Sequence, residues 1–284
     1  MCDAQFWAKA WQEARRTSSL GPGYRNEQGW REFWDLFAEH YAFRNRQTRQ
    51  AADTVVESLL HDGVINHESK ILDIGCGPGT YTLPLAARAK QVTGLDLSGP
   101  MLEVLRKEAR YFGVEDCLEI VPADWGEFPN EAAYDLVFAA KTPAIHDYAS
   151  LMKMNQISRR FCCLVSFAGS YNFALRNQLW AHIMGKSIQS RAFDVQFPFN
   201  ILYQEGYLPN LKFISHRYQH REPFDYLLKH YTCYFRIFGR EGKEVETKIR
   251  DFLMERAQDG YCEDFIEETL GVMWWEVGIK KGKQ

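Results

Sequence analysis

The chain has 284 residues, 46% of them hydrophobic and 25% charged, with a net charge of −3. That length supplies roughly one to two domains with a sizeable core, and the charge lacks the basic surplus by which phosphate backbones are usually bound. No apolar run approaches membrane-spanning length, no signal-peptide pattern opens the chain, and the seven cysteines show no C-x-x-C spacing, so a reduced, cytoplasmic protein is expected.

Phe6, Trp7, Ala10, Trp11 and Ala14 recur at helical spacing, and so do Trp30, Phe33, Trp34, Phe37 and Tyr41. Gly21-Pro22-Gly23 separates the two stripes. A third helix over 48–60 carries Ala51, Ala52, Val55, Val56, Leu59 and Leu60. The chain is organised around one stretch beyond that helix, Ile71-Leu72-Asp73-Ile74-Gly75-Cys76-Gly77-Pro78-Gly79-Thr80. An apolar run ends in glycines that alternate at Gly75, Gly77 and Gly79, where a missing Cβ lets the backbone turn tightly and lie against a ligand. Leu83, Leu85, Ala86 and Ala89 then begin a helix, with Pro84 in its first turn. Strand, glycine turn and helix together predict a nucleotide-cofactor loop at the carboxyl edge of a parallel sheet.

The spacing is G-x-G-x-G, not the dinucleotide G-x-G-x-x-G. Asp73, in the strand end, would repel a pyrophosphate but suits a cationic amino-acid group. A second strand, Val92-Thr93-Gly94-Leu95-Asp96-Leu97-Ser98, ends in an acid about 20 residues after Gly75, the interval at which a carboxylate accepts from ribose hydroxyls. The D-x-G-C-G-x-G run from Asp73 to Gly79, with Asp96, resembles motif I and the strand-two acid of the class I S-adenosylmethionine-dependent methyltransferases. The likeness continues more loosely to about residue 167.

Onward, Ser98 caps a helix over 99–111 with Pro100 in its first turn and Met101, Leu102 and Leu105 inside. Leu118–Pro122 reads as strand three and Tyr134–Ala140 as strand four, followed by strand five over 160–168 and a helix over 171–185. Strand six is expected over 211–218 and strand seven over 272–280, separated by helices over 223–239 and 244–260. The final lysines, Lys280, Lys281 and Lys283, read as a solvated end.

The resemblance implies a doubly wound, Rossmann-like α/β methyltransferase sheet. Residues 1–60 would form a helical lid, 61–222 the cofactor-binding core, and 223–284 a helical insert with the last strand. It implies S-adenosyl-L-methionine as cofactor, held by Asp73, Gly75, Cys76, Gly77, Gly79, Asp96, Leu97, Met101 and Ala140. Asp124 and Trp125 would meet the adenine, and Tyr41, at the end of the lid stripe, would reach the cofactor's amino-acid end. The loop after strand four, Lys141-Thr142-Pro143-Ala144-Ile145-His146, would face the methyl acceptor. It departs from the Asn-Pro-Pro-Tyr pattern of enzymes that methylate nucleobase or glutamine amines, and offers no acid–amide cluster for magnesium.

Lys141 and His146 are the catalytic candidates, as anion binders or proton acceptors; each also reads blandly, as a solvated lysine and a helix cap. No metal is expected. The acceptor is expected to be a small, partly apolar metabolite, with no nucleic-acid partner. Two other readings stay open: a non-catalytic S-adenosylmethionine-binding protein, and a nicotinamide-dependent oxidoreductase, against which the glycine spacing and Asp73 count.

Overall fold

The computed structural model describes residues 3–131, 133–169 and 171–280, with backbone alone for 42–48. The end of the lysine tail, 281–284, lies outside the described residues. Three helices open the chain, α1 (Ala4–Thr17), the single turn α2 (Gly21–Tyr24) and α3 (Glu27–His61). Then come β1 (Lys70–Ile74), α4 (Thr82–Ala86), β2 (Gln91–Asp96), α5 (Gly99–Phe112), β3 (Leu118–Pro122), β4 (Tyr134–Ala140), α6 (Tyr148–Ile157) and β5 (Ser158–Phe167). The remainder is β6 (Asn172–Phe173), α7 (Ala174–Met184), α8 (Gln196–Gln204), β7 (Asn210–Pro223), α9 (Phe224–Ile237), α10 (Lys243–Met254) and β8 (Tyr261–Glu276).

Among the described residues one sheet runs β3-β2-β1-β4-β5-β8-β6, with β7 also paired to β8. The five strands from β3 to β5 are parallel, and β8 returns antiparallel. Helices cover both faces, so the strand period of two divides each apolar run between two cores. Ile71, Leu136 and Phe138 pack with Val55, Val56 and Leu59 of α3 and with Leu102 and Leu105 of α5. Leu72, Ile74, Val137 and Ala139 pack on the other face with Trp11 of α1, Leu151 and Met154 of α6, and Ile201 and Leu202 of α8. A third core, of Phe33 and Phe37 with the inner faces of α7, α9 and α10, sits beside the sheet.

Several expectations are corrected. The helices expected around 30–41 and 48–60 are one helix of 35 residues. Nothing between Trp30 and Leu60 breaks it, since no glycine or proline falls there and the polar stretch between the stripes is made of residues a helix tolerates. The helix expected over 244–260 stops at Met254, and β8 begins at Tyr261, well before 272. β7 likewise runs on to Pro223. Both strands extend because they are charged on one side and pair with each other, as in Arg217 with Glu267. The aromatic stripes are largely core: Trp11 is 2% exposed, Phe33 and Phe37 each 3%, while Phe6 stays half exposed.

Candidate functional site

The glycine turn leaves β1 with Gly75, Gly77 and Gly79 all at positive φ, 67°, 52° and 96°. At Gly75 a Cβ would lie 2.1 Å from Thr142 Oγ1, so the turn is pressed against the loop that follows β4. At Gly77 a Cβ would meet no protein atom within 4 Å. There the left-handed backbone and the open approach together call for glycine.

Asp96, at the end of β2, is oriented by the turn. Gly77 N–H donates to its Oδ2 and Ser98 N–H to its Oδ1, each at 2.9 Å. Burial raises its pKa, against those backbone donors, and Asp35 adds to the rise. A carboxylate offers about four lone-pair sites, more than these backbone donors fill, so capacity remains for a hydroxyl donor. Ser98 also caps α5, accepting from Met101 N–H at 3.2 Å, and its hydroxyl donates to Asp35 of α3. Met101 is covered by Trp34 and Tyr41, so α3 lies across the start of α5. Tyr41 stands edge-on to Trp34 with ring centroids 5.0 Å apart.

Asp73 is buried, and Thr82 Oγ1 donates to its Oδ2 at 2.6 Å. Desolvation lifts its pKa to about 7, opposed by the Thr82 bond and assisted by Asp96. Cys76 is buried too, its thiol pushed up by burial and by the two acids. Leu97 is half exposed beside Asp96, and Ala140 is partly buried at the end of β4.

Asp124 and Trp125 part company. Asp124 Oδ1 accepts from Gly126 N–H at 2.6 Å in an exposed turn. Trp125 is 5% exposed in the core, donating from Nε1 to Ser150 O at 3.2 Å, with Phe128 stacked on it and Lys153 Nζ 4.9 Å from its ring centroid.

Beyond β4, Lys141 takes a left-handed backbone, φ 48°, and its Nζ reaches the buried Glu268 of β8 at 3.2 Å. His216 of β7 stands opposite Glu268 in register. Its Nε2 is buried without a hydrogen-bond partner, and desolvation lowers its pKa against the pull of Glu268. Tyr81 is buried nearby, its phenol pushed up by burial and then by Glu268. His146 is half exposed, its Nδ1 3.0 Å from Pro143 O. The cap of α6 is Asp147, whose Oδ1 accepts from Ser150 N–H at 2.8 Å. So Lys141 is exposed but paired with Glu268, and the cap of α6 is Asp147, not His146.

The segment that carries this turn, residues 71–160, matches the family described as "Methyltransferase domain". Over that segment the chain is similar to a methyltransferase domain. Similarity to curated proteins includes an uncharacterized protein of Haemophilus influenzae, 26% identical over 56% of this chain and 58% of that one. A probable ribosomal RNA small subunit methyltransferase A of Methanopyrus kandleri is 37% identical over 27% of this chain and 26% of its own. A trans-aconitate 2-methyltransferase of an Enterobacter species is 35% identical over 37% and 39%. The chain therefore spans little more than half the length of these relatives at most.

Over this segment the structure brings Asp73, the three glycines, Asp96, Leu97 and Met101 to one end of β1 and β2, and gathers further residues around them. Thr82 and Ser98 are the hydroxyls that fix Asp73 and the start of α5. Asp35 joins from α3. Glu268 and His216 arrive from strands far along the chain, where only their alternation with exposed neighbours marks them. Among the described residues no three His, Cys, Asp or Glu side chains gather as a metal site, and no helix is long and apolar enough to cross a membrane.

Proposed function

We propose that the chain binds S-adenosylmethionine and transfers its methyl group to a small, partly apolar metabolite. The observation that carries this reading is the Asp96 carboxylate, held on both oxygens by the backbone N–H groups of Gly77 and Ser98 at the mouth of an all-left-handed glycine turn. A carboxylate fixed in this way is preorganised for a pair of vicinal hydroxyls, and Asp73 beside it suits an ammonium group. The open Cβ position of Gly77 leaves the turn approachable.

When bound, the cofactor supplies a sulfonium methyl that is displaced in line. The residues of the chain orient and shield. Asp96 would fix the ribose, Asp73 and Tyr41 the amino-acid end, and Met101 with the α3 aromatics would keep water from the approach. Lys141, Glu268 and His216 stand on the acceptor side, where a neutral imidazole can accept a proton or a hydrogen bond. A metabolite acceptor is favoured over ribosomal RNA because the net charge of −3 gives no phosphate-binding surplus. The free thiols at Cys76, Cys117, Cys162, Cys163, Cys233 and Cys262 suit a reducing cytoplasm.

The test has two arms. S-adenosylhomocysteine should raise the melting temperature and NADH should not. Incubation with methyl-labelled cofactor and a metabolite extract should then label a small molecule. Stabilisation without any labelling would favour a non-catalytic binding protein.

A further inference from the structure

Arg15, near the end of α1, carries a charge that the protein does not neutralise. Its guanidinium lies 4.7 Å from the ring centroid of Tyr24 and 5.9 Å from that of Phe193. Its Nη1 is buried with no hydrogen-bond partner, and among the described residues no carboxylate stands within ion-pair distance of it. Asp147 is near enough to be felt, but it is already occupied, accepting from Ser150 and facing His146. A guanidinium brings five donors in a fixed fork, and burying even one of its nitrogens without an acceptor is costly.

Its position gives that cost a use. Phe193 O accepts from Phe167 N–H at the end of β5, and Asp147 follows β4. Arg15 therefore lies over the carboxyl ends of β4 and β5, on the same sheet edge as the glycine turn, where ligands of open α/β sheets bind. A second arginine, Arg176 of α7, stacks at 4.5 Å on Phe173 and 5.7 Å on Tyr171, and among the described residues it hydrogen-bonds the amide oxygen of its neighbour Asn177. The two are linked through the end of β5: Tyr24, under Arg15, stands edge-on to Phe193, Phe193 O accepts from Phe167 N–H, and Phe167 stacks on Tyr171, which lies under Arg176. Stacked on aromatic faces with its edge unspent, a guanidinium is matched to a planar carboxylate.

We propose that the methyl acceptor is a small organic carboxylate and that Arg15 grips its carboxylate group, with Arg176 supplying a second positive charge. This deepens the methyl-transfer reading and rests on it. The acceptor's carboxylate is a handle here, and its apolar part lies among the tyrosines.

The test uses the full chain saturated with S-adenosylhomocysteine, followed by thermal shift with benzoate, phenylacetate, hexanoate, malate and citrate, each against its amide. At least one carboxylate should stabilise the protein while its amide does not. In Arg15→Gln that carboxylate should bind about tenfold or more weakly, with the response to S-adenosylhomocysteine unchanged. Arg15→Lys, which keeps the charge and loses the fork, should fall between. Without ligand, Arg15→Gln should melt at the same temperature or higher, because an unpaired buried charge has been removed. Carboxylates and amides acting alike, no carboxylate acting, an unchanged response in Arg15→Gln, or a lower melting temperature for that variant would each overturn the proposal. No response of the wild type to S-adenosylhomocysteine would sink the methyl-transfer reading itself.

Discussion

Replacing Asp73 by asparagine should stabilise the ligand-free protein while weakening its hold on cofactor. The carboxyl is fully buried, and its pKa rises from 3.8 to about 7. Between those values the folded state keeps a proton that the unfolded chain has released, so stability falls as pH rises and levels off above about 7. At about 1.36 kcal/mol per unit, the ionised carboxylate costs the fold up to about 4 kcal/mol at neutral pH. Asparagine keeps the shape, and its Oδ1 can still accept from Thr82, whose bond to Asp73 is 2.6 Å. Urea denaturation at about pH 4.5 and pH 8 measures the difference. The variant should lose the pH slope, gain most at pH 8, and bind S-adenosylhomocysteine more weakly, because an ammonium group needs the negative charge. An unchanged slope, or a variant less stable than wild type at pH 8, would refute the reasoning.

Asp96→Ala should lower S-adenosylhomocysteine affinity about tenfold to a hundredfold by calorimetry, the equivalent of roughly 1.5–3 kcal/mol of charge-assisted hydrogen bonding; unchanged affinity in a folded variant would remove Asp96 from the site. Gly77→Val should abolish cofactor binding, since a branched side chain would enter the approach and hold φ 52° poorly; circular dichroism checks the fold, and normal binding would contradict the turn's role. Trp11→Ala should cost about 3–5 kcal/mol in chemical denaturation, as expected for a tryptophan truncated in a core; a loss under about 1 kcal/mol would mean that α1 is only loosely docked. Deleting residues 1–40 cuts α3 and removes Trp11, Phe33 and Phe37, so the melting temperature should drop sharply, and a truncated chain that melts like wild type would contradict the packing described.

The parallel strands were readable because burial on both faces demands short, continuous apolar runs, as in Ile71-Leu72 and Leu136-Val137-Phe138. The glycine turn was readable because glycine is nearly the only residue that serves at those φ values. What was hidden had mixed signals. α6 begins with a capping box closed by Ser150 instead of an acid or amide, and α8 carries Pro198 in its first turn, so neither start follows the commonest sequence signature. β7 and β8 pair outside the main parallel sheet, and their outer residues, such as Arg217, Gln219, Glu263 and Glu267, bond across the ladder. Charge at alternate positions then looks like a helix surface or a loop until the partner strand is known. The proposed acceptor side was least legible, because Lys141, Glu268, His216 and Arg15 come from four distant stretches and no local pattern ties them together.

The unbroken α3 has a mechanical consequence. About 50 Å long, it is a single beam seated at one end among α7, α9 and α10, where Asp35 and Ala38 also touch the start of α5, and at the other end under β1. A beam anchored at both ends cannot let one end breathe alone. Loosening the helical cluster around Phe33 tilts the element that lies beside Asp96, and tightening that region by a ligand stiffens the cluster in return. Amide exchange in α9 and in the α3 segment near Val55 should therefore slow together when S-adenosylhomocysteine is added, although α9 and Val55 belong to different cores.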